Sequence, residues 1–187
     1  MMAALVSRLC ALVLLVVLSP VMLTLWLICA IVQGRPVLFR QYRSGKGTIP
    51  FRLLKFRSMR DIRDENGGLL PDDQRVTGIG TFLRRSRLDE LPGLVNVLRG
   101  EMAFVGPRPL LPATIEELGS RGWKRCAVKP GLTGWSQVNG NTLLTLDRKI
   151  NLDLWYIDNR SAFLDLRILA LTVLVMIGGE KVRTGTA

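Results

Sequence analysis

The sequence predicts a mostly helical α+β protein, seated in a membrane by its first segment and continuing as a small domain at the interface. Three observations carry that expectation. Ala11 to Val32 is a run of 22 residues without a charge, interrupted only by Ser19, Pro20 and Thr24 among apolar side chains. Beyond it, apolar residues recur at helical spacings from Phe82 to Leu98, and Leu144 to Tyr156 reads as a helix, whereas alternation of the strand type is confined to Phe51–Met59. The 187 residues, 48% of them apolar, suit one domain of ordinary size with little to spare for a second. The expected organisation is a membrane element over residues 1–33 and a cytoplasmic or interfacial domain over residues 34–187.

As a helix, the uncharged run would be about 33 Å long at roughly 1.5 Å per residue, enough for a hydrocarbon core of about 30 Å. It is too long for a signal peptide, and Trp26, Leu27 and Ile28 are too bulky for a cleavage site. Proline removes a backbone donor and clashes with the carbonyl four residues back, so a kink is expected at Ser19-Pro20. Arg8 precedes the run and eight bases follow it before the first acid. Positive charge on both flanks favours one cytoplasmic side for both. These features alone leave a span and a re-entrant hairpin equally open.

Gly34 to Pro50 reads as a strand or loop layer at the membrane surface, where Arg and Lys serve as headgroup contacts. Asp61 to Asp73 is a polar excursion with Asn66-Gly-Gly and Pro71. Thr81 is a candidate cap for the Phe82–Leu98 helix, which Pro92 must kink or restart and Gly100 can end. Phe104 to Pro112 is too rich in proline for a helix, and a short one is expected over Thr114–Leu118. Gly131, Gly134 and Gly140 punctuate a loop with neither Walker nor dinucleotide spacing, consistent with a generic substrate loop. Ile168 to Ile177, ten uncharged residues, is too short to span and suits a core or the bilayer interface.

The charge of +11 is uneven: residues 1–60 hold nine bases and no acid, whereas the remaining 127 hold 17 bases and 15 acids. A uniformly basic nucleic-acid domain would not look like this. Histidine is absent, so acid-base chemistry falls to carboxylates, Lys, Tyr or Cys, and histidine-based hydrolases and zinc deaminases are excluded. Cys10, Cys29 and Cys126 fit no metal spacing and no disulfide framework.

Asp89 and Glu90 are adjacent acids beside Arg84, Arg85 and Arg87. They fit a helix surface with an Arg85–Asp89 pair one turn apart, or a site for a hard cation and a phosphorylated substrate, since carboxylates ligate Mg²⁺ and attack phosphorus. Arg108, between Pro107 and Pro109, is either a fixed donor fork for phosphate oxygens or a buried arginine bonded to carbonyls. Lys55 and Arg57 carry the same ambiguity.

Lys55–Met59, the stretch Leu88-Asp-Glu-Leu-Pro through Asn96-Val-Leu-Arg-Gly-Glu-Met to Gly106-Pro-Arg-Pro-Leu, and Lys129-Pro-Gly-Leu-Thr-Gly-Trp-Ser-Gln-Val-Asn-Gly together resemble the bacterial sugar transferase family, the monotopic phosphoglycosyl transferases. The resemblance runs from Arg8 to Ile177 and is to the minimal catalytic form. It implies transfer of a sugar 1-phosphate from a nucleoside diphosphate sugar, expected to be uridine-linked, to a polyprenyl phosphate. It further implies Asp89 as nucleophile, Asp89 and Glu90 at a magnesium (Mg²⁺) site, and Lys55 and Arg108 toward the substrate, with Arg57 as a further candidate for substrate binding beside Lys55. The Ser19-Pro20 break would then be that of a re-entrant helix, with the catalytic part on the cytoplasmic face of a bacterial inner membrane. Membrane lipids are expected partners, nucleic acid is not, and a homodimer is left open. Gly93 stands where the family usually has glutamine, and the acid often found before the membrane run is missing near Ser7, Leu9 and Cys10. The competing reading is a basic, membrane-anchored module that binds nucleic acid or lipid without catalysis.

Overall fold

The computed structural model describes residues 2–182; Met1 and residues 183–187, the outer ends of the two expected segments, lie outside the described residues. The uncharged run folds as two helices, α1 (Met2–Val17) and α2 (Ser19–Val32), bent at 62° to each other. Pro20 has no N–H to offer the carbonyl of Val16, four residues back. The Ser19 hydroxyl replaces it, donating to Val16 O at 2.7 Å, so the break leaves that acceptor satisfied in a lipid setting. Among the described residues no single helix is long and apolar enough to cross a membrane, and the bent pair together meets that test. Both arms rest on the same body. Ala11 of α1 is fully buried against Phe51, Leu53, Val97 and Met102. Leu25 and Cys29 of α2 pack with Val37, Phe56 and Leu83. The pair is therefore re-entrant rather than a straight span.

The body begins with an antiparallel hairpin, β1 (Leu38–Ser44) and β2 (Pro50–Phe56), in register from Leu38 opposite Phe56 to Ser44 opposite Pro50. The far edge of β2 is covered by a side chain. Asn96, fully buried, accepts from Leu54 N at 3.1 Å and donates to Arg52 O at 2.8 Å, the two bonds a neighbouring strand would make. Its amide also donates to Glu101 at 2.6 Å. The polar excursion holds one short helix, α3 (Asp72–Arg75).

Of the two readings open for this segment, a kinked helix or a new helix begun at Pro92, the structure has the second. α4 (Gly78–Ser86) starts earlier than expected, because Thr77 is its cap, accepting from Gly80 N at 3.0 Å. Thr81 lies inside the helix and donates back to Thr77 O at 3.2 Å. α4 stops because Arg87 turns left-handed, at φ 57°. A single turn, Leu88–Glu90, then leads to α5 (Gly93–Arg99), which Gly100 ends at φ 81°.

Next, β3 (Ala103–Val105) pairs in parallel with β4 (Gly131–Thr133), and α6 (Pro112–Glu117) and α7 (Ser120–Arg125) lie between them in the chain. The glycines expected to form a substrate loop have a more specific reason: a Cβ on Gly131 would stand 2.1 Å from Gly106 N, and one on Gly134 2.1 Å from Gly106 O. Two backbones touch there, through Gly106 N to Thr133 O at 2.9 Å and Gly131 N to Pro107 O at 3.0 Å. That contact holds the strap Pro107-Arg108-Pro109 in place. α8 (Trp135–Val138), α9 (Leu146–Asn159) and α10 (Ala162–Gly178) complete the fold around Trp135, Leu152, Tyr156, Leu164 and Ile168. The uncharged stretch Ile168–Ile177 belongs to α10, which buries Ile168 and Val175 and exposes Leu174 and Ile177. The architecture is the mostly helical α+β class expected.

Because Asn96 completes the edge of β2, Asn96→Ala leaves a buried N–H and a part-buried carbonyl without partners, a loss of about 2–6 kcal/mol at about 1–3 kcal/mol per unsatisfied group. Asn96→Asp should be comparably destabilised, since it keeps an acceptor and loses the donor. Chemical unfolding in detergent micelles measures both.

Candidate active site

Lys55 lies near the end of β2, Asp89 and Glu90 lie on the turn after α4, and Arg108 lies on the strap after β3. The fold brings all four to one place. Glu90 Oε1 accepts from Lys55 Nζ at 2.8 Å and from Arg108 Nη1 at 2.8 Å. Arg108 is thus not the carbonyl-bound structural arginine that the sequence allowed. Its own backbone carbonyl is the acceptor, receiving the buried Arg125 guanidinium. Arg125 is paired in turn with the buried Asp153, which Ser136 also bonds at 2.7 Å. An ion pair at the back of the strap therefore fixes the side chain at its front.

The two acids are set apart electrostatically. Burial would raise the pKa of Glu90, but Arg108 and Lys55 outweigh it and hold it at about 2. Asp89 is 8% exposed, and burial carries its carboxyl above the ordinary value against the opposing effect of Lys55. Lys55 Nζ stands 3.9 Å from Asp89 Oδ2, outside hydrogen-bond range. Asp89 accepts no side-chain hydrogen bond among the described residues. The Arg85–Asp89 helix pair does not form, because the left-handed Arg87 interrupts the helix that would have stacked the two residues.

Arg57 is placed differently. It is buried and donates to Gln33 O, just beyond the end of α2, and to Asp61 at 3.3 Å. Arg60 donates to Val32 O at 2.9 Å. Arg57, expected toward the substrate, and Arg60 thus serve the C-terminal end of the membrane helix, where its carbonyls lack intrahelical donors and the helix dipole favours cations. Arg57 still contributes to the wall of the cavity onto which Asp89 opens. That cavity has a volume of about 390 Å³ and is also lined by Lys55, Glu90 and Arg108.

Sequence reasoning missed Arg43 and Glu180 on the same wall, and noted Arg87, which also lines it, only as a neighbour of the acids. Arg43 is a β1 residue whose Nε is buried without a partner. Burial and the charge of Arg108 lower its pKa. Only the basic bias of the first third hinted at it. At Gly93 a Cβ would stand 2.6 Å from Leu132 Cδ1, so Leu132 occupies the room a larger side chain would need.

Two carboxylates with oxygens left uncommitted, on the wall of a cationic cavity, are a donor set that suits Mg²⁺. That ion uses one or two carboxylates and takes its remaining ligands from substrate phosphates and water. Among the described residues no group of three or more carboxylates or thiols gathers that could hold a metal alone.

Over residues 1–179 the chain matches the family described as bacterial sugar transferase. It is 47% identical over 150 residues to EpsL, an uncharacterized sugar transferase of Bacillus subtilis, an alignment covering 80% of this chain and 74% of that protein. It is 42% identical to the UDP-glucose:undecaprenyl-phosphate glucose-1-phosphate transferase of Xanthomonas campestris, covering 94% of this chain and 38% of that protein. It is 33% identical to the undecaprenyl-phosphate galactose phosphotransferase of Salmonella typhimurium, covering 90% and 39%. The chain thus spans most of the Bacillus relative and less than half of the other two. With the match extending across almost all of its length, the chain belongs to the bacterial sugar transferase family.

Proposed function

We propose that the protein transfers a sugar 1-phosphate from a nucleoside diphosphate sugar to a polyprenyl phosphate, in two steps through Asp89. The observation that supports this most directly is the division of labour between adjacent acids. Glu90 is committed to Lys55 and Arg108, whereas Asp89 is buried, uncommitted and open to the cavity. Its raised basicity makes it the better nucleophile of the two. Relatives named for glucose 1-phosphate or galactose phosphate transfer to undecaprenyl phosphate support the reaction class and a uridine-linked donor.

In the first step an Asp89 carboxylate oxygen bonds to the sugar-proximal phosphorus. The bridging P–O bond breaks with its electron pair, and the nucleoside monophosphate leaves. In the second, an oxygen of the polyprenyl phosphate attacks the same phosphorus and returns the Asp89 carboxylate, giving the polyprenyl diphosphate sugar. Arg108, held from behind by Arg125, and Lys55 lie where donor oxygens gather charge. Asp89 and Glu90 are the residues to hold Mg²⁺, which would supply charge neutralisation at the diphosphate. The re-entrant helix places this chemistry at the interface, where a soluble donor and a lipid acceptor meet. A purely binding module would leave Asp89 without a task.

Wild-type protein mixed with Mg²⁺ and donor alone, quenched rapidly, should carry one sugar phosphate on Asp89 by peptide mass spectrometry, and Asp89→Asn should carry none. An adduct on another residue, or none under conditions where added lipid phosphate reacts quickly, overturns the two-step route. Arg108→Ala should slow transfer by about 10²–10³, the loss typical of one preorganised donor to a developing charge. The alanine protein should also unfold somewhat more easily, because Glu90 keeps Lys55 but loses the stronger of its two cationic partners, while the glycine contact still holds the strap. Arg108→Lys should recover only part of the rate, lacking the planar fork; turnover and unfolding midpoints of the three proteins check this. For the cytoplasmic placement, a single cysteine at position 2 in a cysteine-free variant should resist labelling from outside intact cells; strong external labelling refutes it.

A further inference from the structure

The C-terminal end of α10 returns to the cavity. Gly179, at φ 78°, turns the chain so that Glu180 reaches the rim. Four donors converge on its carboxylate. Oε1 accepts from Arg87 Nη2 at 3.3 Å and from Asn141 Nδ2; Oε2 accepts from Thr142 N at 3.1 Å and from the Thr142 hydroxyl. These donors come from two segments far apart in sequence. Arg87 is anchored separately, donating to Gln137 O at 3.0 Å, so its place does not depend on Glu180 alone. Burial would raise the carboxyl of Glu180, but Thr142, Asn141 and Arg87 outweigh it and keep it ionised.

A guanidinium, a backbone N–H, a hydroxyl and an amide around two oxygens of an anion form the set of donors that also recognises a phosphoryl group. Arg87, Asn141 and Thr142 line the same cavity as Asp89 and Arg108. A carboxylate of the chain therefore sits on an anion site within the wall where phosphates are to be handled. We propose that Arg87, Asn141 and Thr142 form an oxyanion niche for a phosphoryl group of the substrate, and that Glu180 occupies it in the free protein as a displaceable C-terminal latch. That the phosphoryl group belongs to a substrate rests on the transfer reaction proposed above; the niche and its latch do not.

Binding, rather than turnover, is the test, made on the full chain in nanodiscs by calorimetry with pyrophosphate, uridine diphosphate and a short-chain polyprenyl phosphate. If the latch is closed about nine-tenths of the time, Glu180→Ala raises anion affinity about tenfold by removing the competing state. Adding Thr142→Val to that variant should take back most of the gain. Glu180→Gln, close in size and uncharged, should fall between wild type and alanine, and serves as the test if the alanine protein does not fold. A gain for uridine diphosphate assigns the niche to the donor, and a gain for the polyprenyl phosphate alone assigns it to the acceptor. Unchanged or weaker binding of all three probes in the Glu180 variants overturns the proposal, as does a gain that Thr142→Val leaves intact. A protein that shows the affinity gain and yet releases no nucleoside monophosphate would keep the niche and remove the transfer reading.

Discussion

Glu90 accepts from Lys55 and Arg108 on one oxygen, at 2.8 Å from each, and so joins three segments that are distant in the chain: the end of β2, the turn after α4 and the strap after β3. A carboxylate this buried is unfavourable by itself, and such a cluster is weak evidence of added stability. Its effect is on geometry and on its neighbour. With both cations drawn to Glu90, Asp89 is left close to positive charge but bonded to none of it. The environment therefore splits two chemically similar acids into one that is permanently ionised and one whose carboxylate is more basic, a separation that chain adjacency alone would not produce.

That cluster stands on constraints one layer further out. Asn96 supplies the missing strand at the edge of β2 and holds α5 against it, which sets the turn carrying both acids. The touching backbones at Gly106, Gly131 and Gly134 fix the strap, and the buried Arg125–Asp153 pair holds the carbonyl of Arg108. The bases consequently divide into two groups. Arg60 and Arg125 spend their donors on carbonyls or a buried acid, whereas Lys55, Arg43, Arg87 and Arg108 line the cavity; Arg57 does both, bonded to Gln33 O and standing in the cavity wall. Net charge cannot distinguish these groups; only the partners can.

The legibility of each feature follows from how local its cause is. The break at Ser19-Pro20, the end at Gly100 and the rigidity of Pro107-Arg108-Pro109 arise within a few residues, and they are visible in the sequence. The coincidence of Lys55, Asp89, Glu90 and Arg108 was legible only through the family resemblance, since nothing in their spacing brings them together. The helical Arg85–Asp89 pair was misleading, because it assumes α4 continues. Arg87 is an arginine at positive φ, which no propensity foretells, and its side chain is bonded to Gln137 and Glu180 instead. Glu180 was illegible for the same reason: its donors come from positions 87, 141 and 142, and a lone acid near the end of a chain carries no periodic or spacing signal.

The membrane seat and the site share a strand, and this couples two features that the sequence presents separately. Phe51 and Leu53, early in β2, pack in the cluster of α1; Phe56, at its end, packs in the cluster of α2; Lys55 lies just before Phe56. An element that dips into lipid and touches one body with both arms has to bend, since a straight helix of this length would carry one end across the bilayer and strip either Ala11 or Cys29 of its neighbours. The hydroxyl of Ser19, bonded to Val16 O, makes that bend tolerable in lipid by satisfying the carbonyl that Pro20 leaves without a donor. Both arms of the membrane element thus pack on β2, the strand that also carries Lys55, one of the two cations that neutralise Glu90. The membrane element is part of the site's geometry rather than an anchor appended to it.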